Sequence, residues 1–190
     1  MNSADDDGRL IETRVKSEDV FRGKLLHIKR DTVRMPDGAP ATREFVVHPG
    51  AAMIIPRLPD GKLLFERQYR YPLARVFIEF PAGKLDPGED PLTTAKRELT
   101  EETGYVAARW THLAAMHPVI SYSTEQIDIF VADDLAQVGT RLDHGEFIAT
   151  FSATLDEALA RLDRGEITDS KTMIGLLLMA RQTAAGRWMP

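Results

Sequence analysis

Glu98, Glu101 and Glu102 crowd three carboxylates into five residues, with Arg97 directly before them and Glu89 eight positions upstream. On a helix advancing ~100° per residue they share one side, next to an apolar stripe of Leu92, Ala95 and Leu99. Like charges at i,i+3 and i,i+4 each cost a few tenths of a kcal/mol, so the cluster weakens its helix unless a cation offsets it. Oxygen-only donors of this kind suit Mg²⁺, or Mn²⁺, held octahedrally with several waters retained. Arg97 is placed to hold Glu89 in a bidentate pair and so fix the preceding loop on the helix. A solvated acidic helix face is the alternative that these residues, taken alone, leave open.

The elements that must carry the cluster can be read on either side of it. Asp90 is placed as an N-cap, Pro91 takes the first helical position, and Gly104 fits the left-handed residue that ends a helix, giving a helix of about 13 residues. Before it, Val76 to Phe80 reads as a short strand and Pro81 to Gly83 as the start of a loop. Ala51 to Pro56 and Leu63 to Arg70 flank Pro59-Asp-Gly61, whose Asp-Gly is a hairpin signal. Val20 to Arg34 and Thr42 to His48 read as two antiparallel strands joined through Pro36 to Gly38. Strand-like segments resume around Thr111 to Ala115, Gln126 to Ala132 and Phe147 to Ser152. Thr154-Leu-Asp-Glu157 is a capping box opening a helix that ends near Gly165, and Asp169-Ser170 opens another that ends near Gly186.

Strands, one helix, further strands and two closing helices predict an α+β fold with a mixed sheet covered by helices. Residues 1–17 are expected to be disordered or extended, 18–49 to form an N-terminal antiparallel β layer, and 50–190 to form the catalytic domain.

Composition narrows the chemistry. The 190 residues are 43% hydrophobic and 28% charged, which is ordinary for a globular domain. A formal charge of −5 lacks the basic footprint of a nucleic-acid binder. Without cysteine there is no disulfide framework, thiolate nucleophile or Cys-ligated metal. No apolar run approaches the ~20 residues that span a bilayer, and the acidic start lacks the pattern of a signal peptide, so no membrane partner and a cytoplasmic location are expected. His27, His48, His112 and His117 show no metal-ligand spacing and read as structural.

The spacing carries more than the composition does. Gly83, Glu89, Arg97-Glu98-Leu99, Glu101-Glu102 and Gly104 match every fixed position of the box Gly-x5-Glu-x7-Arg-Glu-U-x-Glu-Glu-x-Gly-U, where U is a bulky apolar residue, and Tyr105 fills the final position as an aromatic. On these residues the chain resembles the Nudix hydrolases. The resemblance implies a Nudix fold, with a mixed β-sheet sandwiched by helices, and hydrolysis of a nucleoside diphosphate linked to another moiety. It also implies divalent metal, with Glu98 and Glu102 as direct ligands, Glu101 sharing or supporting them, the Ala82 carbonyl as a main-chain ligand, and Glu89 and Arg97 orienting the set. The physical account agrees: bound cations neutralise pyrophosphate oxygens and lower the pKa of a bound water.

The flanks narrow the resemblance further. Glu66-Arg-Gln-Tyr-Arg70, Glu79-Phe-Pro-Ala-Gly83, Glu125 after the loop containing Pro118, and Gly165-Glu-Ile-Thr-Asp-Ser-Lys-Thr172 are similar to the ADP-ribose pyrophosphatases. Pro118 stands slightly early for that subgroup, and its usual Ser-Pro-Gly is absent. What the subgroup implies is cleavage of ADP-ribose to AMP and ribose 5-phosphate, and a homodimer exchanging the N-terminal β layer. Arg70 and Arg43 are expected at phosphate or ribose, Glu79 at ribose hydroxyls, and Phe21 stacked on adenine, with a solvated strand position as the alternative for the two arginines and a core position for Phe21. A water-activating base is expected in Leu142-Asp-His-Gly-Glu-Phe147, at Glu146, with His144 as the alternative. Other nucleoside diphosphate sugars, dinucleoside polyphosphates, and a sensor that binds ADP-ribose without cleaving it remain open at this point.

Overall fold

The computed structural model describes residues 7–139 and 147–187. They fall into two compact units, one comprising the residues up to Pro49 together with Val119–Glu125, the other Gly50–Pro118 together with the residues from Gln126 onward.

The first unit is a three-stranded antiparallel sheet, β1 (Thr13–Arg22), β2 (His27–Arg34) and β3 (Pro40–Val46), in that order. The strand expected over Val20 to Arg34 is therefore split. Gly23 donates its N–H to the Leu26 carbonyl at 2.8 Å, closing a turn inside a stretch whose mixed apolar and cationic residues read as continuous. β1 begins at Thr13, inside the segment expected to be disordered or extended. The Val119–Glu125 loop joins the end of β3: Val46 donates to the Tyr122 carbonyl at 2.9 Å and accepts from the Thr124 N–H at 3.0 Å.

The second unit contains two sheets. One, in the order β7-β4-β9-β8, combines β4 (Ala51–Pro56), β7 (Ala82–Lys84), β8 (Tyr105–Met116) and β9 (Ile127–Gln137). It is mixed, because β4 runs parallel to β9 and antiparallel to β7. The other, in the order β10-β5-β6, combines β5 (Leu63–Arg70), β6 (Arg75–Glu79) and β10 (Ile148–Ala153), all antiparallel. β4 and β5 thus do not form the hairpin that Asp60-Gly61 suggests. Beyond one bridge, Arg57 to Leu63, the turn carries the chain from one sheet to the other.

All six residues of β4 are buried, as expected of a strand covered on both faces. Ala52 and Ile54 turn toward Ala95 and Leu99 of α1 (Pro91–Glu98) and its extension, with Phe130 and Ala132 of β9. Met53 and Ile55 turn the other way, into a larger core with Phe65, Phe80, Ile129, Val131, Leu176 and Met179. That face is closed by the second sheet together with α2 (Leu155–Asp163) and α3 (Ser170–Ala184). Gly175 lets α3 approach closely, since a Cβ there would stand 2.8 Å from Met53 Cε and 3.2 Å from Ile55 Cδ1. No helix among the described residues is long and apolar enough to cross a membrane.

Candidate active site

α1 starts as its sequence dictates. The Asp90 carboxylate accepts the N–H groups of Leu92 and Thr93 at 3.0 and 3.1 Å, and Pro91 follows at the first helical position. Its end differs from the regular helix that the apolar period predicts, because Leu99–Thr103 form a π turn closed by Gly104 at φ 74°. Burial of the fully enclosed Leu99 anchors this wider turn to β4. The result divides the three carboxylates. Glu98 and Glu101 face Arg97, while Glu102, 4% exposed, turns inward.

Arg97 is the hub of the outer group. Its Nε and Nη2 donate to the two oxygens of Glu89 at 3.2 and 3.0 Å, and its Nη1 donates to Glu98 at 2.7 Å and to Glu101 at 3.0 Å. Nη2 also reaches the Lys84 carbonyl at 3.2 Å, so the loop after β7 is pinned to the helix. Glu89 further accepts from Thr94 Oγ1 at 2.8 Å and from the Asp86 N–H at 3.3 Å. The Arg97 guanidinium and then the Thr94 hydroxyl hold its carboxyl down to about 2, while Glu89 first, then Glu98 and Glu101, raise Arg97 above its usual value.

The inner group lies against β7. Glu102 Oε2 accepts the Ala82 N–H at 3.0 Å. The Glu98 side chain lies directly over Gly83, where an added Cβ would stand 2.7 Å from Glu98 Cγ and closer still to its carboxyl group. That glycine is required by close approach, since its backbone is not left-handed. Ala82 and Gly83 are themselves fixed by pairing with Met53 and Ala52 of the buried strand β4.

The donors near Ala82–Gly83 are hard oxygens of the kind that Mg²⁺ prefers, and the glycine cradle keeps the Glu98 carboxylate against the main chain. The donor chemistry therefore fits a divalent cation. Among the described residues no three carboxylate or imidazole groups converge on one point; Arg97 takes the place of the offsetting cation between Glu98 and Glu101.

The remaining residues singled out in the sequence fall in different places. Arg70, at the end of β5, donates from Nε and Nη2 to Glu79 at 2.7 and 2.8 Å. Glu79 is 2% exposed and also receives Lys171, so both of its oxygens are paired with cations. Burial pushes its carboxyl up, but Arg70 and Lys171 outweigh that and hold it below its usual value. Phe21 and Arg43 belong to the first unit. Phe21 is half-exposed on β1, and Arg43 on β3 is paired with Glu12. Glu146 and His144 lie outside the described residues.

One buried group and one partly buried group carried no role in the sequence reading. Glu66 is fully buried and stands opposite Glu79 in the β5–β6 register, and Lys171 meets Glu79 across 92 positions of sequence. Period-two alternation in β5 places Glu66 on the face of Leu64, which is a usable signal. Nothing local announces Lys171.

Comparison with known proteins agrees with this architecture. A NUDIX domain matches residues 47–186, and a nucleoside diphosphate sugar hydrolase N-terminal domain matches residues 12–46. The chain is 37% identical to an ADP-ribose pyrophosphatase of Bacillus subtilis (strain 168), covering 86% of this chain and 89% of that protein. It is 38% identical to a methanol dehydrogenase activator of Bacillus methanolicus, over 93% of this chain and 97% of that one. A crystal structure of an ADP compounds hydrolase superposes with a TM-score of 0.83 at 26% identity, covering 94% of this chain and 98% of the other. With the acidic helix, its arginine hub and the glycine cradle all in place, and with a NUDIX domain matched over residues 47–186, the chain belongs to the Nudix hydrolase family.

Proposed function

We propose that this protein hydrolyses the pyrophosphate bond of ADP-ribose to AMP and ribose 5-phosphate, in the cytoplasm. The observation that carries the reading is the unbroken acidic set on α1 and its π turn, held against Ala82–Gly83 of β7, a few residues after the strand that bears Glu79. The 37% identity to an ADP-ribose pyrophosphatase over most of both chains supports the choice of substrate.

Glu98 and Glu102, with Glu101 in support and the Ala82 carbonyl beside them, would hold Mg²⁺, for which Mn²⁺ can substitute. A cation held by these groups would supply charge neutralisation at the pyrophosphate oxygens and a lowered pKa for a bound water. Arg97 orients Glu98 and Glu101 while fixing the Glu89 loop. Arg70 presents its guanidinium to phosphate, held in direction by the buried Glu79 carboxylate. Glu146 is proposed as the base that takes the proton from the attacking water, with His144 as the other candidate in that loop. Phe21 and Arg43 of the N-terminal β layer are assigned to adenine and phosphate or ribose. That layer, residues 18–49, is further assigned to a homodimer interface, with residues 50–190 as the catalytic domain.

The test is turnover of purified protein with ADP-ribose, GDP-mannose and diadenosine polyphosphates, with Mg²⁺ and with EDTA, and products identified by mass. The expected result is AMP and ribose 5-phosphate at the highest kcat/KM, lost on chelation. A higher kcat/KM for another compound would refute ADP-ribose as the substrate, and silence on all would refute hydrolysis.

A further inference from the structure

The segment Thr168-Asp-Ser-Lys-Thr172 runs along β6 and is bonded at both of its ends. Arg75 Nη2 donates to Thr168 Oγ1 at 2.6 Å at the start of the strand. Just past its end, the Phe80 N–H donates to Thr172 Oγ1 at 3.0 Å. Asp169 organises the segment as the N-cap of α3. Its Oδ2 accepts the Thr172 N–H at 3.0 Å, Thr172 Oγ1 at 2.7 Å and Lys171 Nζ at 3.0 Å. From this cap Lys171, with a side chain only 12% exposed, reaches back to Glu79 Oε2.

The surroundings of Arg70 explain why a second cation is needed. Glu79 carries one buried negative charge, and Glu66, wholly buried, stands directly opposite it. Glu79 above all, with Glu66 and Glu102 adding to it, raises the Arg70 guanidinium above its usual value. A guanidinium surrounded only by carboxylates is a spent charge, because its field is cancelled before an incoming anion feels it. Lys171 balances Glu79 through a second contact to its carboxylate, from a side chain only 12% exposed. Arg70 keeps 40% of its side chain exposed, and among the described residues its Nη1 engages no other group.

We propose that Lys171 is a positioning residue for the substrate diphosphate: by neutralising Glu79 it keeps Arg70 fixed in direction yet net cationic toward a phosphate oxygen. This rests on the reading of the site as a diphosphate-cleaving centre. Lys171 acts through Glu79 and touches no substrate itself. The Asp169 cap sets its reach, and the Thr172 bond to Phe80 fixes the strand end on which Glu79 sits.

The test compares wild type with Lys171→Met, Lys171→Arg and the double variant Glu79→Gln/Lys171→Met. Binding of ADP-ribose is measured by calorimetry in EDTA, and KM and kcat are measured with Mg²⁺, with thermal melting as the check on folding. Removing the lysine charge should raise Kd and KM about tenfold while kcat changes less than about threefold, and Lys171→Arg should stay close to wild type. Glu79→Gln/Lys171→Met should recover most of the lost affinity, because the charge that Lys171 balances is then gone; a merely structural lysine predicts further loss instead. Affinity of Lys171→Met within about twofold of wild type, or a double variant no better than the single one, would overturn the proposal. If Lys171→Met fails to fold, the comparison of Lys171→Arg with the double variant decides. Wild type that neither binds nor cleaves ADP-ribose refutes the substrate reading instead, and the same comparison is then made with whichever nucleoside diphosphate compound it cleaves.

Discussion

Replacing Gly83 with alanine isolates the contact between β7 and the acidic turn. The alanine backbone is accommodated, since Gly83 does not adopt a left-handed conformation. The new methyl is not, because it would stand 2.7 Å from Glu98 Cγ and closer to the carboxyl group, where carbon atoms ordinarily meet at roughly 3.5–4.0 Å. Gly83 cannot retreat, being paired with Ala52 on a strand buried on both faces. Glu98 must therefore swing aside by about 1 Å or more, and displacements of that size in a reacting centre cost on the order of a hundredfold in rate, equivalent to about 2.7 kcal/mol. Overpacking costs roughly 1–3 kcal/mol of stability, a melting shift of several degrees, so the protein should stay folded. The assay is kcat/KM for ADP-ribose with saturating Mg²⁺ beside a thermal melt. Gly83→Ala retaining activity within about threefold of wild type would show that the position of Glu98 over Gly83 plays no part in turnover.

Two further outcomes follow from the same geometry. Glu102→Gln keeps an amide oxygen to accept the Ala82 N–H at the 3.0 Å position but removes the charge, so it should melt near wild type and lose at least about a hundredfold in kcat/KM; near-native activity would sink the assignment of Glu102 as a ligand. Glu89 has a folded pKa of about 2 against an ordinary 4.5, so the unfolded chain binds the proton more readily, and its stabilising contribution is full above about pH 4.5 and lost as pH falls toward 2. The melting-temperature gap between wild type and Glu89→Gln should therefore narrow across that window; a gap constant from pH 5 to pH 2 would refute the pairing with Arg97 as its cause.

What could be read from sequence was mostly local. Asp90, Pro91 and Gly104 mark their helix because caps and the left-handed end are satisfied within a few residues. Thr154 and Glu157 likewise form the capping box that their spacing predicts. The distribution of strands between sheets was not legible. Asp60-Gly61 reads as a hairpin, yet β4 pairs with β9 and β5 with β10 through contacts far apart in the chain, and no local signal distinguishes those partners from each other. The π turn was hidden because Leu92, Ala95 and Leu99 fit a regular helix, whereas the departure is set by how Leu99 seats on β4. In the site, the Arg97–Glu89 pair followed from spacing. The pairing of Glu79 with Arg70 and Lys171 did not, because an acidic residue near the end of a strand has the same signature whether it faces a ligand or a lysine from a distant helix.

The pairing of β4 with β9 also bears on how the chain assembles. Ala51 meets Ile127 and Ile148 meets Gln68, so both sheets of the second unit depend on closing loops of many tens of residues, the feature that slows folding most. The Ala82–Gly83 ledge that receives Glu98 and Glu102 is held by its pairing with β4, which is buried along its whole length. Exchange of the Ala82 amide, which donates to Glu102, would then require opening of the whole unit rather than fraying of a loop. The acidic centre thus draws its support from strand pairing between distant parts of the chain rather than from the helix that carries it.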